Sequence, residues 1–425
     1  MTQRKIKYSN DEIEIVDIEE LSGESEDESY SYGFNDEELP ENLEEDGVSE
    51  SSNIEATGIL QLIEGHGYGF LRFHNFMTSK EDLFVPANLI HRFWLRTGDE
   101  IKAIGRKPRP GDKFGAVFYI KEVNGKDPVV SKQRSHFDSL TPIYPKKRIY
   151  LETKHDMSTR IIDLLAPVGF GQRGLIVAQP KAGKTVLLKK IARAIETSYP
   201  EAELIVLLVD ERPEEVTDIQ RYLQGESTVI YSTFDEKPEH HAKVSEMVLE
   251  RAKRLAEDGR DVVILLDSLT RLARAYNIIE PSSGKILSGG LDPISLYKPK
   301  KFFGAARNLE DGGSITILAT ALVETGSRMD DMIFEEFKGT GNMELHLDRN
   351  LSEKRIFPAI DFNKSGTRNE ELIMTQKELE AEWMLRKALS KGKNEDVTQS
   401  IVEKLSMTDD NETFISLLDK LDFAK

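Results

Sequence analysis

Gly174-Leu-Ile-Val-Ala-Gln-Pro-Lys-Ala-Gly-Lys-Thr-Val-Leu-Leu-Lys189 opens on an apolar run, breaks into a Gly/Pro/Lys turn and closes in helix formers. Strand, tight loop and helix in that order make an anion site. Unpaired N–H groups at the helix start face the anion, and the helix dipole adds to the attraction. Lys184 is placed to reach the outer phosphates of a nucleotide, and the Thr185 hydroxyl to ligate magnesium. Ala182, Gly183 and Val186 complete the turn, and Lys181 adds a second cation. The P-loop pattern has glycine where this chain has Ala178, so the match is a G-K-T with a loosened front half. Ordinary strand–helix turns also contain such triplets, so the flanking chain must decide.

Downstream, apolar runs alternate with amphipathic stretches. Strands are expected at 174–178, 204–209, 229–232, 262–266 and 315–321, and helices at 185–198, 214–223, 239–257 and 301–309. That alternation predicts an α/β domain over 151–425, a mostly parallel sheet covered by helices. Residues 375–421 read as helical, with Leu379, Trp383, Leu385 and Leu389 at packing spacing.

Two of these strands end in acid. Val262-Val-Ile-Leu-Leu-Asp267 is the Walker B arrangement, in which a carboxylate at a strand end holds magnesium. An aspartate capping the following helix would use the same residue type. Leu204-Ile-Val-Leu-Leu-Val-Asp-Glu211-Arg212-Pro213 places Glu211 to deprotonate a water and Arg212 to touch a phosphate or a neighbouring subunit. Pro213, Glu214 and Glu215 also make a good helix start. The order Lys184–Thr185, Glu211, Asp267 points to ATP hydrolysis of the RecA type. A Gly-rich turn before the P-loop strand, Gly169-Phe170-Gly171-Gln172-Arg173-Gly174, is a further candidate to line the nucleotide site.

The net charge of −18 argues against a nucleic-acid partner until it is mapped. Residues 1–57 hold 19 Asp and Glu against 3 Lys and Arg, whereas residues 58–150 hold 16 Lys and Arg against 9 Asp and Glu. The acidic stretch cannot bury enough apolar area to offset chain entropy and is expected to be a disordered tail, with a short helix around 12–21. The basic stretch has the right local sign for phosphates. It breaks into short alternating runs with glycine turns over 58–125, the pattern of a small all-β barrel of the OB or cold-shock type. Its second run, His66-Gly67-Tyr68-Gly69-Phe70-Leu71-Arg72-Phe73, is close to RNP1. Alternation puts Tyr68, Phe70 and Arg72 on one face, two rings to stack on bases and a guanidinium for a phosphate. Phe84, Phe114, Arg106, Lys107 and Arg109 extend the set, although aromatics turned into the barrel core would give the same pattern. Residues 126–150, with Pro142, Pro145 and Lys146-Lys-Arg148, read as a linker.

No cysteine is present, so disulfides and thiolate metal sites are excluded. The first residues run into acid rather than into an apolar core, and no apolar run reaches spanning length, so a soluble, cytoplasmic protein is expected. Two late loops, Ser283-Gly-Lys285-Ile-Leu-Ser-Gly-Gly290-Leu-Asp292 and Glu324-Thr-Gly-Ser-Arg328-Met-Asp330, each carry one cation among small residues. Such loops suit contact with a phosphate backbone, and solvated surface loops look alike. Arg368, in the turn Lys364-Ser-Gly-Thr-Arg, would act on a neighbour's nucleotide if the chain forms a ring.

The chain resembles the Rho family of bacterial transcription termination factors from about residue 58 onward. The resemblance rests on Gln179-Pro-Lys-Ala-Gly-Lys-Thr185, Asp210-Glu-Arg-Pro-Glu-Glu-Val-Thr217, Leu266-Asp-Ser-Leu-Thr-Arg-Leu-Ala-Arg-Ala-Tyr-Asn277 and Lys338-Gly-Thr-Gly-Asn-Met-Glu-Leu345. It implies a homohexamer with ATP and Mg2+ between subunits. It also implies 5′→3′ movement on single-stranded RNA and release of the transcript from the RNA polymerase elongation complex. By the same resemblance, a primary RNA site comprises Gly67, Tyr68, Gly69, Phe70, Leu71 and Arg72, then Asp82, Leu83 and Phe84, then Asp112, Lys113 and Phe114. A secondary site in the ring channel comprises Lys285, Ile286, Leu287, Ser288, Gly289, Gly290 and Arg328. Lys181, Lys184, Thr185 and Arg212 would hold ATP, Phe357 would stack on adenine, Glu211 would be the base and Arg368 the arginine finger. The acidic tail does not look like the small helical bundle often found ahead of the family's barrel, and Arg328 stands where Lys is frequent. Rival readings are a DNA helicase, a rotary ATPase subunit, and an RNA-binding regulator that only senses nucleotide. The barrel disfavours the second, and the Glu211–Asp267 pair the third.

Overall fold

The structure, a computed structural model, describes residues 4–9, 12–17, 53–108, 111–154, 156–225, 227–389 and 394–418. It divides into two units, Met1–Glu50 and Ser51–Lys425. In the first, Arg4–Ser9 pairs antiparallel with Glu12–Asp17. The helix expected around 12–21 is therefore a strand at its start. Glu12-Ile-Glu-Ile alternates with period two, and that pattern selects a strand. The rest of the expected acidic tail, residues 18–52, lies outside the described residues.

The second unit opens with a closed five-stranded barrel. Asn53–Leu62 pairs with Gly69–Arg72, then Leu83–Val85, Gly115–Val123 and Glu100–Arg106 follow, and the last returns to the first. Its first strand thus begins ahead of residue 58. Alternate residues turn inward, and Leu60, Leu71, Leu83, Val85, Ile101 and Val117 form the core. At Gly115 an added Cβ would sit 2.4 Å from the Arg106 carbonyl oxygen, so only glycine fits this crossing.

Residues 126–150 carry little periodicity yet are packed rather than free. Arg134 binds Asp99 of the barrel, and the Phe137 N–H donates to Glu257 of the next domain with its ring buried. The barrel is further fastened through Asn75, whose side chain exchanges hydrogen bonds with the Tyr231 main chain on the edge strand of the main sheet. Arg251 and Arg96 make cross-domain ion pairs with Glu100 and Glu257.

The main sheet runs in the order Thr228–Thr233, Glu203–Glu211, Asp261–Asp267, Ser314–Leu322, Arg173–Ala178, Met343–Leu347 and Gly366–Thr367. All but the last are parallel, so their carboxyl ends gather along one edge. Ligands of open α/β sheets bind at that edge. Two apolar cores cover the sheet faces. The expected helix over 301–309 is corrected: the helix is Tyr297–Gly304, and Arg307–Leu309 is a strand antiparallel to Ser314–Leu322. The cause is the Gly312-Gly313 turn, where an added Cβ on Gly313 would strike the Arg260 carbonyl. The chain ends in helices Gln376–Leu389, Asn394–Ser406 and Asn411–Leu417. Leu379, Leu385 and Leu389 pack inward as expected, but Trp383 is 60% exposed and is not a packing residue.

Candidate functional site

Helix Lys184–Ser198 starts directly after Gly183, which caps it in the left-handed region at φ 95°. Glycine adopts that conformation without Cβ strain, and Lys184 and Thr185 are the first helical residues after it. Ala182 is buried beneath the turn, while Lys181, Gly183 and Val186 are exposed. The loosened front half is tied down from elsewhere: the Gln179 side chain accepts a 2.9 Å bond from the Arg349 N–H, and the Ser352 hydroxyl bonds the Lys181 carbonyl. Phe357, 51% exposed, follows this same helix, Arg349–Glu353.

The Lys184 ammonium donates to Glu211 at 2.9 Å and contacts Asp267 on its other side. Burial lowers the Lys184 pKa, but Asp267 and Glu211 more than offset it and the net shift is upward. Glu211 is 4% exposed, and its pKa is raised by burial and then by the Asp267 charge, against the pull of Lys184. Ser268, not Asp267, caps the following helix by accepting from the Arg271 N–H. The Asp267 carboxylate is therefore left for the site, where Thr320 donates to it at 2.7 Å. Arg212 caps helix Pro213–Tyr222 with its side chain 68% exposed, and Glu215 of that helix accepts from the Thr185 hydroxyl at 3.2 Å. The helix-start reading of that segment is what the structure shows, with Pro213 first and Glu214 and Glu215 in the first turn.

Arg271 was not anticipated. It bonds Asp210 at 2.6 Å and reaches Glu211 at 3.7 Å, and these carboxylates outweigh burial to raise its pKa. Its position four residues after Asp267, one turn into a helix that starts at the same sheet edge, was the available signal.

Arg368 and the Gly169–Gly174 turn are elsewhere. Gly169, Phe170, Gly171, Gln172 and Gly174 are buried at the amino end of the P-loop strand, and Arg173 is half-buried there. Gln172 binds Asn342, and Gly171 is pinned under Asn308, where a Cβ would be 2.4 Å from its nitrogen. The six-residue strand Arg173–Ala178, about 20 Å long, runs from this turn at its amino end to the P-loop at its carboxyl end, so within one chain the turn does not line the P-loop site. Exposed Arg368 stands at the same amino end beside Gln172 and Arg173 on a cavity of about 310 Å³. Burial and then the charges of Arg307 and Arg368 lower the Arg173 pKa.

On the barrel, Tyr68, Phe70, Phe84 and Phe114 form one half-exposed cluster with ring centroids 5.0–5.9 Å apart. Exposed Lys113 lies 5.3 Å over the Phe114 ring, and Asp112 pairs with Arg106. The expectation that Arg72 reaches a phosphate is corrected. Arg72 is 4% exposed and bonds Asp82, itself fully buried, and its guanidinium sits 5.1 Å under Phe70. Leu71 and Leu83 belong to the barrel core, and Gly69 is buried against the Gln61 carbonyl. These residues support the aromatic face rather than compose it. Gly67 and Lys107 are exposed at its margins, and Arg109 lies outside the described residues.

The two late loops meet. Lys285, Ile286, Ser288, Gly289 and Gly290 are exposed and Leu287 half-buried. A Cβ on Gly289 would lie 2.5 Å from the Met329 nitrogen, so this loop rests against the helix that begins at exposed Arg328. Among the described residues no helix is long and apolar enough to cross a membrane.

Comparison with known proteins bears on both halves. Residues 56–129 match the Rho termination factor RNA-binding domain, and residues 158–367 the nucleotide-binding domain of the ATP synthase alpha/beta family. The chain is 56% identical over 364 residues to the transcription termination factor Rho of Bacillus subtilis, covering 85% of this chain and 84% of that one. It is 49% identical over 418 residues to the Rho of Aquifex aeolicus, covering 97% and 96%. Among solved structures it is similar to an ATPase from the type III secretion system of pathogenic bacteria, at 25% identity and a TM-score of 0.55, covering 67% of this chain and 87% of that one. This chain belongs to the transcription termination factor Rho family.

Proposed function

We infer that this chain is a transcription termination factor, an RNA-dependent ATP hydrolase that binds single-stranded RNA and uses nucleotide turnover to move along it. The observation that carries the reading is the pairing, in one Rho-family chain, of the aromatic barrel face with a P-loop lysine held between Glu211 and Asp267. Movement in the 5′→3′ sense, assembly as a homohexamer, a cytoplasmic setting and release of RNA from the RNA polymerase elongation complex complete the proposal.

In this mechanism the P-loop N–H groups and Lys184 bind the nucleotide phosphates, with Lys181 and Arg212 beside them and the exposed Phe357 ring stacking on the base. As Lys184 shifts its bonds to phosphate oxygens, it releases Glu211 to accept a proton from the attacking water. The raised pKa of Glu211 makes it a better base, and Arg271 holds its carboxylate in position. Among the described residues no group of three or more His, Asp or Glu could hold a metal alone. Magnesium commonly uses one or two protein oxygens plus phosphates, so the Thr185 hydroxyl and Asp267 carboxylate fit it. Bound there, the ion neutralises charge on the phosphates. Arg368, remote from Lys184 in its own chain, would serve a neighbour's nucleotide in a ring, with the Gly169–Gly174 turn as its support.

Stacking is indifferent to the 2′-OH, so a single-stranded DNA motor is the alternative. ATP hydrolysis measured alone, with single-stranded RNA and with single-stranded DNA decides between them. Stimulation by RNA only is expected, and equal stimulation by DNA overturns the RNA reading.

A further inference from the structure

Between the barrel and the α/β domain lies a cavity of about 1430 Å³, larger than the roughly 300–1,000 Å³ of small-molecule pockets. Its lining includes Ile63 and Gly67, in the hairpin that presents Tyr68, and Tyr276 and Tyr297, which precede and follow in the chain the loop that carries Lys285. The cavity is therefore bordered both by the hairpin of the aromatic face and by the segments that flank that loop. Seven Lys and Arg side chains line it against three Glu, a balance that suits a polyanion. Several of these cations are committed to carboxylates, as Lys298 is to Glu246 and Glu280. Lys132 and Lys301, both exposed, have no carboxylate partner among the described residues.

Trp94 stands on the rim. It ends helix Ala87–Phe93 in the left-handed region, φ 51° and ψ 42°, and the residue is 68% exposed. Glycine or asparagine is favoured at such a helix end, and a bulky residue there is an outlier. Neither packing nor backbone preference accounts for an exposed indole at this position. Outliers of this kind concentrate at sites of function. Tyr297, which also lines the cavity, is 71% exposed. Two exposed rings and two lysines without a carboxylate partner, Lys132 lying 5.9 Å over the Phe93 ring, are the components of a single-strand groove, since bases stack on rings while cations follow the backbone.

We propose that this groove is a third RNA contact, which carries the strand from the barrel face toward the late loops. Trp94 and Tyr297 stack on bases, and Lys132 and Lys301 neutralise phosphates. The proposal rests on the RNA-driven reading above and adds the path between its two RNA sites.

The test uses the full chain and two oligopyrimidine RNAs. One has about 6 nucleotides, within the site size of a single OB fold, and the other about 25. Trp94→Asn, which suits the left-handed backbone, is expected to bind the short RNA as the unsubstituted chain does and the long RNA at least about fivefold more weakly. Trp94→Phe keeps a ring and is expected to restore most of that loss. The Lys132→Gln, Lys301→Gln pair is expected to flatten the slope of log affinity against log salt for the long RNA by about 1.4, at about 0.7 per single-strand phosphate contact. Equal affinity of Trp94→Asn and the unsubstituted chain for the long RNA overturns the proposal, as does an unchanged salt slope. Equal weakening on both RNAs also overturns it, because that marks damage to the barrel. If unsubstituted protein hydrolyses ATP without RNA stimulation, the motor reading fails by itself, and the length-dependent affinities still decide the groove.

Discussion

Lys184 donates a 2.9 Å hydrogen bond to Glu211 and contacts Asp267 with the same ammonium. The P-loop cation thus lies between the proposed base and the carboxylate assigned to magnesium. Any nucleotide phosphate that engages Lys184 changes the charge felt by both, so binding and activation of the base are coupled through one side chain.

Lys184→Ala is expected to abolish ATP hydrolysis. It removes the phosphate contact and leaves two buried carboxylates facing each other. Steady-state hydrolysis with RNA present checks this, and retained turnover removes the ATPase assignment of the P-loop.

Glu211→Gln keeps the shape and hydrogen-bonding reach of the side chain but cannot take a proton. Nucleotide affinity is expected to stay within about threefold of the unsubstituted chain while kcat falls by roughly 10²–10⁴. Equal loss of both would mean that Glu211 is structural. The pH dependence follows from the raised pKa. The base works only when deprotonated, so activity is present above its folded pKa and is lost as pH falls through it. That acid limb lies above the ordinary glutamate range, and a kcat profile that stays flat down to the ordinary range contradicts the assignment.

Phe70→Ala removes the ring that touches Tyr68, Phe84 and Phe114. RNA binding is expected to weaken by about 1–3 kcal/mol, with nucleotide affinity unchanged. Unaltered RNA affinity would make the cluster a purely structural one.

Arg72→Ala tests the corrected role of that residue. Removing one partner of a buried ion pair costs about 3–5 kcal/mol, here because Asp82 would be left buried and charged. A lowered unfolding midpoint of the barrel is expected in denaturant titration. RNA binding lost with the midpoint unchanged would return Arg72 to direct phosphate contact.

Arg368→Ala and Lys184→Ala are each expected to be inactive alone. Mixed and allowed to exchange subunits, they are expected to recover hydrolysis, because some interfaces then join an intact Lys184 to an intact Arg368. A mixture as inactive as its parts argues against a finger acting across subunits.

The P-loop strand and helix, the strands that end in Glu211 and Asp267, and the barrel were legible in the residues, because period and turn chemistry act locally. The expected helix over 301–309, in contrast, gave way to a helix at Tyr297–Gly304 and a strand at Arg307–Leu309. Glu211 and Asp267 were found as the last residues of apolar strands, and parallel topology then delivers them to one edge. Arg72 and Trp383 were misplaced for a shared reason. Alternation and helical spacing state which residues share a face, but not what covers that face. Asp82 covers Arg72, and Trp383 is left exposed on the C-terminal helix.

Local order in the chain therefore settles most of the elements, the nucleotide turn and the aromatic strand, since each depends on neighbours a few residues away. Distances between strand ends are a property of the packed sheet. Only there do Lys184 and Asp267, 83 residues apart in the chain, share a proton-bearing contact. Only there is the Gly169–Gly174 turn carried to the opposite end of its strand from the nucleotide site. The same holds for the groove beneath Trp94, which exists because the barrel is fastened to the α/β domain by Asn75, Arg96 and Arg251.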